Sequence, residues 1–339
     1  MKKATATRDD QAGLETTTSS TTLSVRANGE RVQALITALR PRQWTKNFAV
    51  FIGLVFAQRL FDTRAFERAS LAFVTFCLLS STVYLLNDLL DLENDRQHPL
   101  KCTRPLACGQ LPIAWAVVTI AVLLATCAAL LLALHRIPIQ HDIFTSLGGA
   151  DVLFAFTILS YFVLMVLYSL YLKHVVVIDV FVIASGFVLR TLAGTVVVAV
   201  ATSSWLYMVA CFLALFLALS KRRNELVILQ AQASHHRQIL KEYSIPMLNQ
   251  MITIAVSATI MAYSLYTIEG AAASHGLLIT VPIVLYGMFR YLYLVYMKME
   301  GGSPEEVLLR DRFMLGTVTL YILMIVIALY ILPRVLLHV

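Results

Sequence analysis

The chain has 339 residues, of which 59% are hydrophobic and only 14% charged, a composition that excludes an ordinary soluble domain and predicts an all-α, polytopic membrane protein. Its 27 Lys and Arg against 20 Asp and Glu fit basic cytoplasmic loops and do not call for a nucleic-acid partner. The five cysteines show neither a disulfide framework nor zinc-ligand spacing.

The amino-terminal region is predicted to precede the membrane domain. Residues 1–30 are rich in Ser and Thr and lack an apolar run, which predicts a disordered cytoplasmic tail. Residues 31–42 are predicted to form an amphipathic helix in the membrane interface, because their apolar side chains share one helical face. Residues 43–339 form the predicted transmembrane catalytic domain. The apolar face comprises Val32, Leu35, Ile36 and Leu39.

Apolar runs along the remaining chain predict a helical bundle of about nine transmembrane helices. A span needs about twenty apolar residues, or fewer where aromatic and basic residues lie at its ends. The longest internal polar stretch is residues 221–245, so no soluble domain is left over. The predicted spans are 46–61, which is short, and 66–88, 112–134, 151–172, 174–199, 204–222, 246–269, 276–297 and 314–335.

The basic residues predict the orientation in the membrane. If the amino-terminal tail is cytoplasmic, 20 Lys and Arg lie on that side and 5 on the other, with Arg190 and Arg290 inside spans. This asymmetry favours a cytoplasmic amino terminus. Among the connections between spans, those after the even-numbered spans hold most of the acids as well, so we expect the polar chemistry in one cytoplasmic cavity.

The most informative motif is NDLLDLENDRQHPLKCTRPLACG, residues 87–109. If the second span continues as a helix, Asp88, Asp91 and Asp95 share one face, with Asn87 beside them. A hard cation relieves the repulsion between such carboxylates, and Mg²⁺ held in this way keeps positions open for substrate phosphates. The spacing of His and Cys does not suit zinc. The alternative is a solvated helix end whose acids balance neighbouring bases.

Further cations follow these acids or lie in later loops. Lys101 and Arg104 are candidate phosphate ligands, since a polyanion bridged by Mg²⁺ also needs cationic partners. Lys221 and Arg222 follow the sixth span, where the positive-inside rule alone also places basic residues. Arg290 and the segment 304–312 are predicted either to line the same cavity or to be solvated.

The region 171–194 places ionisable residues inside an apolar helix. Asp179 and Arg190 are eleven residues apart, about three turns, and so share a face. Intramembrane ionisable residues are functional candidates because their burial is costly. For Arg190 a structural pair with another span is an equal alternative. Lys173 and Asp179 lie nearer the charged face and suit ligand contact.

These motifs resemble the UbiA superfamily of intramembrane prenyltransferases. The pattern NDxxDxxxD at the end of the second span, followed by RPLxxG, carries the resemblance, which extends from about residue 40. The strings RPRQWTKN, HPLKCTRP, YSLYLKH, GFVLR, SKRRNEL and PEEVLLRDR are similar, more narrowly, to the decaprenyl-phosphate phosphoribosyltransferase branch. The resemblance implies a UbiA-like fold and a location in the plasma (inner) membrane of a prokaryote.

One departure from the family bears on the substrate. Members that use prenyl diphosphate resemble one another in a second acidic motif, DxxxD, whereas Asp179 is followed four residues later by Ile183 and the next acid is Glu225. One acidic cluster with several cations fits phosphoribosyl pyrophosphate, whose 5-phosphate needs bases and whose diphosphate needs Mg²⁺. The resemblance thus implies a donor other than prenyl diphosphate.

The implied reaction is Mg²⁺-dependent transfer of 5-phosphoribose from phosphoribosyl pyrophosphate to a polyprenyl phosphate, for cell-envelope sugar donors. The alternatives are an aromatic prenyltransferase of the quinone or haem pathways and a transporter or lipid-binding protein; a homo-oligomer is left open. The implied catalytic residues are Asp88, Asp91, Asp95 and Asp179, the first three with Asn87 as metal ligands. The implied substrate-binding residues are Lys46, Asn47, Lys101, Arg104, Tyr171, Lys173, Arg190, Lys221 and Arg222.

Overall fold

The computed structural model describes residues 29–98, 101–139, 141–231, 242–269, 275–299, 301–302, 307 and 310–333. This part of the chain contains helices and turns but no strand, in agreement with the predicted all-α class. Helices α1 to α11 are residues 29–39, Phe51–Phe56, Thr63–Leu90, Leu92–Gln97, Ile113–His135, Ala150–Leu170, Ile178–Val197, Ser204–Ala231, Ile245–Glu269, Val281–Met297 and Arg312–Val326.

Eight helical stretches of 20 to 28 described residues are long and apolar enough to cross a membrane. They correspond to the second through ninth predicted spans; α10 is extended at its start by a 3₁₀ segment, His275–Thr280. Helices α3 and α7 are the most enclosed, with 61% of their most apolar stretch buried, compared with 17% in α5. The weakly buried helices therefore present their apolar side chains outward, as lipid-facing helices do.

The first predicted span, 46–61, does not form a helix of membrane-spanning length. It comprises part of a 3₁₀ segment, Pro41–Val50, and the six-residue helix α2. The segment lies between α1, which ends at residue 39, and α3, which begins at Thr63. The 28 residues of α3 extend about 42 Å.

The chain divides into two compact units, residues 1–41 with 80–124 and residues 42–79 with 125–339. In the first unit, α1 packs two alanines and two leucines against the smaller core, while Val32 and Ile36 stay 47% and 53% exposed. The predicted amphipathic face is therefore only half covered, which leaves an apolar strip suited to a membrane interface. The core-facing residues are Ala34, Leu35, Ala38 and Leu39.

The second unit contains the larger cores, one built mainly on α8, α9 and α10 and the other on α3, α6 and the end of α7. The Pro41–Val50 segment approaches α7 so closely that a Cβ at Gly194 would lie 1.9 Å from the carbonyl oxygen of Val50. Only glycine fits this contact, because any other residue would force the backbones apart. The three-part division into tail, interfacial helix and transmembrane domain stays a prediction, since residues 1–28 lie outside the described chain.

Candidate functional site

Two carboxylates of the predicted acidic motif meet on one guanidinium. Nη1 of Arg104 lies 3.0 Å from Oδ1 of Asp88 and 2.5 Å from Oδ2 of Asp95. Both aspartates are only 2% exposed. Asp88 lies in the last turn of α3 and Asp95 in α4. Buried carboxylates need such compensation, because an unpaired buried charge is costly.

Two more cations complete this cluster, which we call the acidic-motif cluster: Asp88, Asp95, Arg40, Lys101 and Arg104. Arg40 approaches Asp88 to 2.5 Å, and Lys101 Nζ lies 3.7 Å from Asp95. The three cationic side chains are each 25% to 28% exposed. With three cations around two carboxylates, the cluster carries a net positive charge and its cations face outward, where a polyanion can reach them.

The helix that carries the three acids of the motif is broken between Asp88 and Asp95. The continuous helix expected through residue 95 is interrupted at Asp91, which has φ −94° and ψ 9° and separates α3 from α4. Asp91 and Asn87 are both half-buried at this break. The backbone N–H of Asp91 donates to the backbone carbonyl of Asn87 at 2.9 Å. Nowhere in the described chain do three His, Cys, Asp or Glu side chains gather closely enough to hold a metal ion.

A short loop positions the cations. Residues Lys101–Thr103 form a 3₁₀ turn, and the backbone N–H of Arg104 donates to the Lys101 carbonyl at 3.0 Å. The loop closes at Gly109, whose φ of +80° lies in the left-handed region that glycine adopts without strain. Lys101 and Arg104 both pair with the acids, as the alternative of a solvated helix end expects. Their predicted role in binding phosphate stays a prediction. Residues 99 and 100 of the HPLKCTRP string lie outside the described chain.

The acidic-motif cluster fits Mg²⁺ in its chemistry. In proteins Mg²⁺ is usually bound by one or two carboxylates, with water and substrate phosphates as the other ligands. Asp88 and Asp95 supply two buried carboxylates that already share one cation, the guanidinium of Arg104. The donor number therefore suits a magnesium ion that arrives with a phosphate substrate, rather than an ion held by protein alone.

A second constellation surrounds Asp179, which is completely buried in the first turn of α7. Its carboxylate is 2.7 Å from Nε of Arg222 and accepts the Tyr243 hydroxyl at 2.8 Å. Arg222 also pairs with Glu225 at 2.6 Å and donates to the Tyr168 hydroxyl at 3.4 Å. Asp179 lacks an acidic partner four residues later in the sequence. In the fold, Arg222 joins it to another acid, Glu225.

Tyr243 holds a strained turn as well as Asp179. The backbone N–H of Val177 donates to the Tyr243 hydroxyl at 2.7 Å, and Val177 has φ +68°, which a β-branched residue rarely adopts. Burial raises the pKa of Tyr243 above its ordinary value, so the phenol stays protonated at neutral pH. Strain of this kind tends to accumulate at functional sites.

The remaining predicted residues near this turn differ in exposure. Lys173, in the 3₁₀ turn Leu172–His174, is only 6% exposed, whereas Tyr171 is 68% exposed and Lys221 is exposed on α8. Lys46 donates to Gln43 at 2.5 Å within the Pro41–Val50 segment. Lys173 is therefore enclosed, while Tyr171 and Lys221 face outward.

Arg190 is bound by neutral partners. It is 6% exposed and donates to Asn47 at 2.7 Å, to the Gly186 carbonyl at 3.0 Å and to the Tyr161 hydroxyl at 2.7 Å. Asn47 also donates to the sulfur of Cys77 at 3.3 Å. Arg190 and Asn47, both predicted to bind substrate, thus tie α6, α7 and the Pro41–Val50 segment together.

Two other arginines contact neighbouring helices or their caps. Arg290 makes a bidentate pair with Asp311, which also caps α11 through the Met314 N–H. The hydrogen bond from Arg290 lowers the pKa of Asp311. Arg223, next to Arg222, instead donates to the Asn249 side chain and to a carbonyl of α10. The acids of residues 305 and 306, predicted to line the cavity or to be solvated, lie outside the described chain.

Arg40 and Tyr243 were not among the predicted site residues. Arg40 had a sequence signal, because it opens the RPRQWTKN string. Tyr243 had none: its contact with Asp179 joins residues 64 positions apart, and no local pattern predicts such a pair.

A family model for the UbiA prenyltransferase family matches residues 47–306. The chain belongs to this family. It is therefore an integral membrane protein of a family of enzymes, consistent with its eight apolar helices.

Named relatives align with this chain over most of its length. It is 33% identical over 306 residues to the decaprenyl-phosphate phosphoribosyltransferase of Corynebacterium glutamicum, covering 88% of this chain and 87% of the relative. It is 31% identical over 293 residues to the enzyme of the same name from Mycobacterium tuberculosis, covering 83% and 89%. The resemblance seen in the motifs is thus confirmed.

A solved structure confirms the fold. A UbiA homologue from Archaeoglobus fulgidus, bound to GPP and Mg²⁺, superposes with a TM-score of 0.63 over 86% of this chain and 96% of that one. The two sequences are only 17% identical, so this likeness establishes the UbiA fold alone.

Proposed function

We propose that this chain transfers 5-phosphoribose from phosphoribosyl pyrophosphate to a polyprenyl phosphate of the decaprenyl type, with release of pyrophosphate. The relatives named decaprenyl-phosphate phosphoribosyltransferase, similar over more than four fifths of the chain, support the substrates. The geometric observation that carries the proposal is the acidic-motif cluster, in which two buried carboxylates are surrounded by three partly exposed cations.

Asp88 and Asp95 are the proposed magnesium ligands, with Asn87 and Asp91 as nearby candidates. Bound Mg²⁺ would neutralise charge on the departing diphosphate. In this structure Arg104 pairs with both carboxylates. If Mg²⁺ bound these carboxylates, the Arg104 guanidinium would be free to bind phosphate oxygens.

Arg40, Lys101 and Arg104 are the proposed phosphate-binding residues, with Lys46 as a further candidate. Arginine suits this role because its planar fork binds two phosphate oxygens at once. The attacking group is the ionised phosphate oxygen of the lipid, which is already a nucleophile. No residue is needed as a general base.

Asp179 and Lys173 are proposed to position the ribose or the acceptor, with Arg222, Tyr171 and Lys221 as contributing residues. Arg222 fixes the buried carboxylate of Asp179 from one side and Tyr243 fixes it from another. A carboxylate held by two partners keeps one orientation, which suits a group that orients sugar hydroxyls.

The proposed location is the inner membrane, with the amino terminus and the charged loops on the cytoplasmic side. The distribution of Lys and Arg supports this orientation. Phosphoribosyl pyrophosphate, a highly charged soluble metabolite, would then reach the protein from the cytoplasm without crossing the membrane.

A second candidate is an aromatic prenyltransferase. It is favoured by one observation, the pairing of both Asp179 and Glu225 with Arg222, which creates a second acidic pair from distant residues. Purified protein with Mg²⁺ is given phosphoribosyl pyrophosphate and decaprenyl phosphate in one reaction, and decaprenyl diphosphate and 4-hydroxybenzoate in another. We expect pyrophosphate release in the first reaction only. Release in the second reaction only would establish the prenyltransferase instead.

A further inference from the structure

A cavity of about 460 Å³ lies in the second unit, away from Asp179. Its walls are the turn after α2, residues 57–59, and the connection between α7 and α8, residues 199–203, with Tyr266 of α9. Asp179 lies in the first turn of α7 and the cavity follows the last turn. The length of α7 separates them by about 30 Å, so the cavity faces the opposite side of the membrane.

The cavity is lined by Arg59, a cation that makes no ion pair with the described residues. Arg59 is half-buried, and its guanidinium makes one long hydrogen bond, 3.5 Å, to the Val198 carbonyl. No ion pair joins it to a carboxylate of any described residue. A half-buried guanidinium with most of its donors unused favours an anionic partner.

Four acids at this end of the unit have hydrogen-bond or ion-pair partners other than Arg59. Asp62 accepts the backbone N–H groups of Arg64 and Ala65, and Asp142 accepts those of Phe144 and Ala150. Asp151 pairs with Arg68, and Glu269 accepts the indole N–H of Trp205. The counter-charge for Arg59 must therefore come from outside these acids.

The other lining groups suit an amphiphilic anion. Gln58, Thr202 and Ser203 supply an amide and two hydroxyls, while Phe56 and Ile143 supply apolar walls. Ile143 is 50% exposed, so an apolar surface continues outward from the cavity towards the lipid. The volume lies within the range of small-molecule sites.

The backbone is strained in both segments that line the cavity, which supports a binding site there. Gln58 and Ala199 have φ of +58° and +50°, values that non-glycine residues seldom adopt. Strain of this type tends to persist where function requires it.

We propose that this cavity binds the phosphate headgroup of an anionic membrane lipid, with Arg59 as its charge partner and the acyl chains along the apolar rim. The proposal is independent of the phosphoribosyl transfer. A free phosphate ion offers the same charge, but it would make no use of the apolar walls.

The test is native mass spectrometry of the purified full chain with three probes: dioctanoyl phosphatidylglycerol, dioctanoyl phosphatidylcholine and inorganic phosphate. We expect phosphatidylglycerol to bind more tightly than phosphatidylcholine. Arg59→Gln should weaken its binding about tenfold, since a charge-assisted hydrogen bond is lost, and Arg59→Lys should restore part of the affinity.

Arg64→Gln is the matched control, because Arg64 is an exposed arginine of the same end and does not line the cavity. Its phosphatidylglycerol affinity should equal that of the wild type. Equal binding of the two lipids, or equal losses in Arg59→Gln and Arg64→Gln, would overturn the proposal. Binding of inorganic phosphate without the lipid would overturn the lipid assignment.

Discussion

At the scale of single residues, the sharpest prediction concerns Asp88. Asp88→Asn keeps the side-chain shape but removes a charge from the acidic-motif cluster. We expect turnover to fall by several orders of magnitude, because the metal would lose a ligand that supports leaving-group stabilisation. Insertion should not suffer, since the span becomes less costly to bury. Steady-state pyrophosphate release by purified protein measures the effect.

Glu93→Gln provides the control for Asp88. Glu93 is a 77% exposed acid of α4 that pairs with Arg96 at the surface, and exposed pairs of this kind contribute little. Its turnover should match the wild type. Near-normal Mg²⁺-dependent turnover in Asp88→Asn would remove the metal assignment and favour the solvated helix end.

Tyr243 is predicted to be a positioning residue that acts through Asp179. Tyr243→Phe removes a hydroxyl that bonds both Asp179 and the Val177 N–H. We expect kcat/KM for phosphoribosyl pyrophosphate to fall about tenfold to a hundredfold, the effect of one hydrogen bond to a charged group. The raised pKa of Tyr243 keeps the phenol neutral, so the variant and the wild type should share one pH profile between about pH 6 and 9.

Tyr330→Phe is the matched variant for Tyr243, because among the described residues the Tyr330 hydroxyl bonds only the backbone of Val55 and Leu60. It should lower the thermal midpoint to a similar extent and leave kcat/KM unchanged. Equal losses of kcat/KM in both variants would mean that Tyr243 contributes only to the stability of the fold.

Residue-level prediction from sequence worked where chemistry is local. Asp88, Asp95, Lys101 and Arg104 lie within one short stretch, and their mutual charges made a common cluster foreseeable. The break at Asp91 was not foreseeable, since the acids repeat at helical spacing through it. The contact between Arg222 and Asp179 was likewise hidden, because the two residues lie 43 positions apart.

At the scale of helices, the contact between α7 and the Pro41–Val50 segment depends on the close approach of their two backbones. Gly194→Ala would place a Cβ 1.9 Å from the Val50 carbonyl, whereas a Cβ at Gly316 in α11 meets nothing within 4 Å. We expect Gly194→Ala to lower the thermal midpoint strongly, and Gly316→Ala to raise stability by about 1 kcal/mol through helix propensity. Thermal unfolding in detergent measures both. Equal midpoints for the two variants would contradict the close approach.

Helix positions were predictable because a membrane leaves few choices for twenty apolar residues. The second through ninth spans follow from this rule. The first did not, because residues 46–61 combine a 3₁₀ segment with a six-residue helix. Apolar composition indicates burial in lipid or protein, but it does not distinguish an α-helix from a tighter one.

At the scale of the whole molecule, the orientation in the membrane is predicted from charge alone. Cys108 lies in the loop before α5 and is exposed, and Arg136 follows the end of α5 and is exposed too. We expect a membrane-impermeant maleimide to label Arg136→Cys in intact cells, and to label Cys108 only after permeabilisation. Cys108→Ser identifies the Cys108 signal, and labelling of Cys108 from outside would reverse the topology.

The central claim is that this UbiA family member adds phosphoribose to a lipid phosphate. The most direct measurement is mass spectrometry of the lipid extracted after purified protein, Mg²⁺, phosphoribosyl pyrophosphate and decaprenyl phosphate are incubated together. The account predicts a new lipid heavier by one phosphoribosyl group, formed by the wild type and by Glu93→Gln but not by Asp88→Asn. An unchanged lipid in the presence of folded wild-type protein would contradict it.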